Sequence, residues 1–188
     1  MENPFLVYQA KSFYNAYIAL EQLKAEEDEL LYLVPRLVNG AFSAELIIKA
    51  ILIEQNIPYS NEHNLKILFD KLPADIQNRI WEFLTLKAPE YSDITKCETE
   101  LLIMSDAFVQ WRYCFEGSPP AFDSRFLSAF TNALIFVMFD LGYNVFFSKL
   151  NNAFTQEKYA DIDKMFEDNR KNFITVNQEK IQKKRGTK

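Results

Sequence analysis

The sequence predicts an all-α protein, a single bundle of five to seven helices built around long antiparallel helix hairpins. Three observations lead there. Apolar residues recur at three- to five-residue steps along most of the chain, the spacing of one helix face. No stretch alternates apolar and polar residues as a half-buried strand would. Only 4 Gly and 7 Pro occur in 188 residues, too few for a turn-rich β architecture or for disorder.

The elements follow in order. A first helix is expected from about Pro4 to Asp28, with Phe5, Tyr8, Phe13, Tyr17, Leu20 and Leu23 inward and Pro4 in the first turn. The acidic run Glu26–Glu29 marks a break, or a favourable charge at the next helix N-terminus. A second helix runs from Leu30 or Pro35 to Asn56, on the stripe Leu37, Ala41, Ala44, Ile48 and Ile51. Pro35 belongs in its first turn or makes a kink, and Gly40 and Ala41 are small enough for close helix approach. Ile57–Asn61 reads as a loop and Leu65–Leu72 as a short helix stopped by Pro73. Asp75–Leu86 reads as a helix with Ile76, Ile80, Phe83 and Leu84 inward. Ser92 or Asp93 caps a long helix reaching about Phe115. Gly117-Ser118-Pro119-Pro120 is the clearest stop in the chain. Asp123 or Ser124 then opens a Phe-rich helix to about Phe147, apolar on nearly all faces, which suits either a central core helix or a dimer helix. Thr155–Lys184 completes the set as an amphipathic segment.

Composition narrows the chemistry. One His is present, so any mechanism needing two is excluded. Cys97 and Cys114 are 17 residues apart on one expected helix, about 25 Å along its axis, too far to bridge. Reduced thiols point to the cytoplasm. The N-terminus lacks the basic start and cleavage site of a signal peptide. The most apolar run, Ala133–Phe147, is interrupted by Asp140, Gly142 and Asn144, so no membrane span is expected. Glycines do not cluster into a phosphate loop, and three scattered Cys and His do not make a zinc site. No metal and no cofactor is therefore expected. The net charge of −5 is uneven: residues 170–188 hold seven basic side chains and one acid, a net of +6 that leaves −11 on the rest. That tail is either a solvated terminus or a dock for an acidic partner.

Polar residues on apolar faces supply the candidate site. Glu45 and Lys49 are four apart on one helix, among Ala41, Ala44, Ile48 and Leu52, so each needs a partner there. His63 stands just before the short helix. Arg112, Tyr113 and Glu116 fall near the buried side of a later helix. Two arrangements fit. Glu45, Lys49, His63, Arg112 and Glu116 converge on a polar pocket, where planar Arg donors suit a phosphate or carboxylate. Or they form an internal ion-pair network that sets helix register.

Three stretches then combine: Ala44-Glu45-x-x-x-Lys49, His63-x-Leu65-x-x-Leu68-Phe69, and Trp111-Arg112-Tyr113-x-x-Glu116. In order and spacing, over about Ala41–Glu116, they resemble the HEPN family of all-helical domains. The resemblance implies an HEPN-like domain over residues 1–169 with the basic tail at 170–188, and a homodimer. Many members of that family are metal-independent RNases of toxin–antitoxin, CRISPR-linked or phage-defence systems. Their motif places a His shortly after the catalytic Arg. Here Arg112 is followed by Tyr113-Cys114-Phe115-Glu116-Gly117-Ser118-Pro119, with no His, and His63 lies upstream. The expectation is a non-catalytic module that binds a nucleotide, RNA or protein partner through Glu45, Lys49, His63, Arg112, Tyr113 and Glu116. One alternative is a degenerate RNase with Arg112, His63 and Glu116 as catalytic candidates. Another is a structural interaction or dimerisation protein.

Overall fold

A computed structural model of the chain describes residues 4–23, 29–59, 61–105 and 123–143. They form α1 (Pro4–Leu23), α2 (Glu29–Glu54), α3 (Leu65–Asp70), α4 (Ala74–Lys87), a 3-10 turn (Pro89–Tyr91), α5 (Ile94–Met104) and α6 (Ser124–Asp140). The fold is all-α, and no strand occurs among the described residues. All of them lie within one unit, Met1–Phe147, of the two into which the chain divides. The expected boundary at 169/170 and the segment Thr155–Lys184 lie outside them.

α1 and α2 form the first expected hairpin. It is antiparallel, since Ser43 Oγ donates to the Ala10 carbonyl at 2.9 Å while Arg36 meets Glu21 at 2.5 Å near the other end. Gly40 permits the close approach foreseen for it. A Cβ there would stand 3.0 Å from Leu127 Cδ2 and 3.1 Å from Tyr17 Cδ2. The inward face of α1 differs from the expected one. Val7, Ala10 and Tyr17 are buried, Phe13 and Tyr14 pack partly, and Leu23 is 39% exposed. Val7, Ala10, Tyr14 and Tyr17 hold a strict three- and four-residue spacing. The expected stripe followed the largest side chains and missed the small Ala10 that α2 packs against. The α2 stripe is as expected: Leu37, Ala41, Ala44, Ile48 and Ile51 are all buried. Pro35 sits inside the helix, past its first turn.

α6 packs between α2 and α4. Its buried set, from Phe126 and Leu127 to Val137 and Met138, is that of a central core helix. It ends at Asp140, short of the expected Phe147. Gly142 takes φ +91°, its N–H bonds the Phe139 carbonyl and the Tyr143 N–H bonds the Met138 carbonyl, so the last carbonyls are satisfied and the helix closes. α2 closes the same way at Asn56 (φ 55°), with Ile57 N–H to the Leu52 carbonyl at 2.8 Å. The two ends touch, the Tyr143 hydroxyl donating to the Glu54 carboxylate.

Asp123 caps α6 and Asp93 caps α5 through their carboxylates, as two of the sequence alternatives had it. α5 stops at Met104 rather than near Phe115. The Ser105 hydroxyl bonds back to the Leu101 carbonyl at 2.7 Å and accepts the Lys66 N–H at 2.9 Å. Residues 106–122, with the Gly117–Pro120 stop and the second hairpin, lie outside the described residues. In α4, Trp81 joins Ile76, Ile80 and Leu84 in the core, while Phe83 is only partly buried. Trp81 joins a ring cluster with Phe69 (4.8 Å) and Phe130 (6.0 Å), and Phe126 stacks on Phe130 at 5.8 Å.

Phe130, fully buried at the middle of that cluster, carries the first prediction. Phe130→Ala should cost about 3–5 kcal/mol in urea unfolding, and a loss under about 1 kcal/mol would show that the rings do not share one core. The second concerns alkali. Burial and then the bond to the Glu54 carboxylate push the Tyr143 hydroxyl from 10.0 up to about 12. A raised folded-state value stabilises fully below the unfolded value and is lost as pH rises through the folded one. Stability should therefore fall between pH 10.0 and about 12, and Tyr143→Phe should flatten that fall.

Candidate functional site

The helical spacing of Glu45 and Lys49 turns both side chains to one side of α2, inside the bundle. Glu45 is 1% exposed as a side chain and Lys49 9%. An isolated carboxylate at that depth carries a large desolvation cost, so its partners are what keep it there. Lys49 Nζ donates to Glu45 Oε1 at 2.7 Å. His63 Nδ1 lies 3.0 Å from the same oxygen. A neutral ring that donates from Nδ1 to the Glu45 carboxylate has Nε2 as its acceptor, on a side chain that is 56% exposed. The other carboxylate oxygen, Glu45 Oε2, is buried and accepts no hydrogen bond among the described residues. One oxygen thus takes two donors and its twin takes none.

His63 reaches this position because the chain around it is pinned. Glu62 Oε1 accepts the backbone N–H of Asn64 at 2.8 Å and of His63 at 2.9 Å. The Asn64 bond, ahead of the His63 one, holds the Glu62 carboxyl below the ordinary range. Asn64 caps α3 by accepting the Ile67 N–H at 3.0 Å. Ser105 then holds the first turn of α3 through Lys66 N–H. His63 is fixed in sequence between two anchored residues, and its ring is thereby aimed at α2.

Three of the expected site residues therefore come together: Glu45, Lys49 and His63. Arg112, Tyr113 and Glu116 lie outside the described residues. Tyr59 was missed from sequence. Its ring stands 5.6 Å from Lys49 Nζ, a cation–π contact that gives the ammonium a second partner. The signal was there in an aromatic residue of a Pro-containing loop directly after the Lys49 helix. Glu62 was missed too, since its role is to bond backbone rather than to face the cluster.

Within the described residues the cluster holds carboxylate, ammonium and imidazole, enough to bind a polar ligand or to poise one imidazole nitrogen. No group of three or more His, Cys, Asp and Glu among the described residues is arranged to hold an ion. Cys97 is buried with its thiol on the Tyr91 carbonyl at 3.1 Å, and burial pushes that thiol up, away from the reactive thiolate. No described helix is long and apolar enough to cross a membrane.

Stability can separate the cost of an unpaired ion from the worth of the cluster. Lys49→Met should lose about 3–5 kcal/mol, because the Glu45 charge is left without its cation. Glu45→Leu/Lys49→Met should recover most of that loss in the same denaturant titration. A double variant no more stable than the single would show that packing, not charge, dominates at Lys49.

No protein-family model, curated protein or solved structure matches the chain.

Proposed function

We propose that this chain is a non-catalytic HEPN-like helical module, a cytoplasmic homodimer that binds a nucleotide or RNA strand at the Glu45–Lys49–His63 cluster. One observation carries the reading: the uneven bonding of Glu45. A network that serves only to fix helix register gains by satisfying every buried acceptor. This one leaves Glu45 Oε2 short of a donor and presents His63 at the surface. A site completed by a further donor accounts for both. Arg112, expected to converge on the same pocket, has planar N–H groups that suit a phosphate or a carboxylate. Tyr113 and Glu116 complete the proposed lining. A defence or toxin–antitoxin setting follows from the family resemblance alone, and the basic tail at 170–188 adds attraction for RNA or an acidic partner.

A specific geometry favours a second reading, a degenerate metal-independent RNase. A carboxylate on His63 Nδ1 orients the ring and leaves Nε2 toward solvent as a base, the arrangement general acid–base catalysis uses.

Fluorescence anisotropy with a 5′-labelled single-stranded RNA, and calorimetry with ATP, test the first reading. Saturable binding should weaken at least about tenfold in His63→Gln and Arg112→Ala, the equivalent of about 1.4 kcal/mol. Affinity unchanged in both variants, or no binding of either probe, rejects the site. RNA cleavage by the purified chain, lost in Arg112→Ala, would replace the first reading with the second. Light scattering that finds a monomer of 22.0 kDa would remove the homodimer.

A further inference from the structure

A second concavity lies elsewhere in the bundle and shares no residue with the Glu45 cluster. It is a cleft of about 460 Å³ between α1, the C-terminal end of α4 with its 3-10 turn, and one side of α6 from Ser124 to Phe136. That volume suits a small molecule. Its floor is apolar where Ala129 and Phe136 face it, and its walls carry both signs of charge.

The charges are not equally committed. Glu21 is held by Arg36 at 2.5 Å, and Arg125 folds back on Asp123 at 3.2 Å. Lys87 and Glu90 face the same cleft, and neither makes an ion pair within 4 Å among the described residues, although Glu90 lies in the field of Arg125. Lys87 Nζ stands over the Phe136 ring at 5.4 Å, so the ammonium is placed above the apolar floor. Asn132 adds direction. Its Oδ1 accepts the Tyr14 hydroxyl at 2.8 Å, which orients the amide and leaves its NH₂ without an acceptor. The cleft therefore offers a cation held only against a ring face, an amide donor and a carboxylate outside any ion pair, around an apolar floor.

Charge balance decides which ligand fits. A phosphate or dicarboxylate would meet Lys87 and Asn132 but also Glu90 and Glu21. A simple cation would meet Glu90 but also Lys87 and Arg125. A zwitterion satisfies both poles at once, with its carboxylate on Lys87 Nζ and Asn132 Nδ2 and its ammonium on Glu90. The floor then takes an apolar side chain. We propose that this cleft is a binding site for a free α-amino acid with an apolar side chain.

Calorimetric titration of the full chain with L-leucine and L-phenylalanine should give saturable binding. N-acetyl-L-leucine lacks the ammonium and L-leucinamide lacks the carboxylate, so each should bind at least about tenfold more weakly. Lys87→Gln and Glu90→Gln, both at exposed positions, should each weaken L-leucine by about the same factor, with folding confirmed by circular dichroism. The proposal is overturned if no amino acid binds up to about 10 mM, if the blocked derivatives bind as well as L-leucine, or if both folded variants keep full affinity.

Discussion

A single buried carboxylate ties the second helix to the connection that enters α3. Glu45 sits on the helix that α1, α3 and α6 all pack against, at a depth where an uncompensated charge is costly. Its partners come from two places. Lys49 is supplied by the same helix one turn on, which costs nothing in topology. His63 is supplied by the connection to α3, and there the requirement becomes architectural: the loop must return to α2 and stay there. Glu62, Asn64 and Ser105 perform that restraint with bonds to backbone N–H groups. The short helix α3, only six residues long, is too short to be stable alone. It owes its place to Leu65, Leu68 and Phe69 in the core and to this anchored entry.

The sequence was most legible where periodicity is carried by branched aliphatic residues. The α2 stripe, the α4 core positions Ile76, Ile80 and Leu84, and the Asp93 and Asp123 caps all follow from local spacing and side-chain hydrogen bonding. It was least legible where size misled. On α1 a small residue, Ala10, marks the buried face, because a helix approaching closely selects against bulk. On α4 the choice between Phe83 and Trp81 turned on tertiary context: Trp81 meets Phe69 and Phe130, whereas Phe83 stacks on Phe136 at the rim. The ends of α2 and α6 were overrun because each stop is a backbone conformation. The φ values of Asn56 and Gly142 are set by closing bonds that no periodicity encodes.

The candidate site divides along the same line. Glu45 and Lys49 were visible because a charged pair on an apolar stripe contradicts its surroundings. His63 was visible only through its position before a short helix, and its reach back to Glu45 depends on loop bonds spread over Glu62, Asn64 and Ser105. The unequal use of the two Glu45 oxygens has no sequence signature at all. It is a property of where donors end up. The aromatic surplus is likewise resolved in part: Phe69, Phe126 and Phe130 with Trp81 are one core cluster rather than a surface patch.

The joint between the ends of α2 and α6 has a consequence for motion. Each of these helices ends in a left-handed residue, Asn56 or Gly142, and the Tyr143 hydroxyl on Glu54 fastens one terminus to the other. Helix termini ordinarily fray independently, with the last amides exchanging fastest. Here neither end can unwind without breaking the hydroxyl–carboxylate bond that the other depends on. The bond therefore couples the two termini, and amide protons near Leu52–Ile57 and Met138–Tyr143 should exchange with solvent in step, although 85 residues lie between Ile57 and Tyr143.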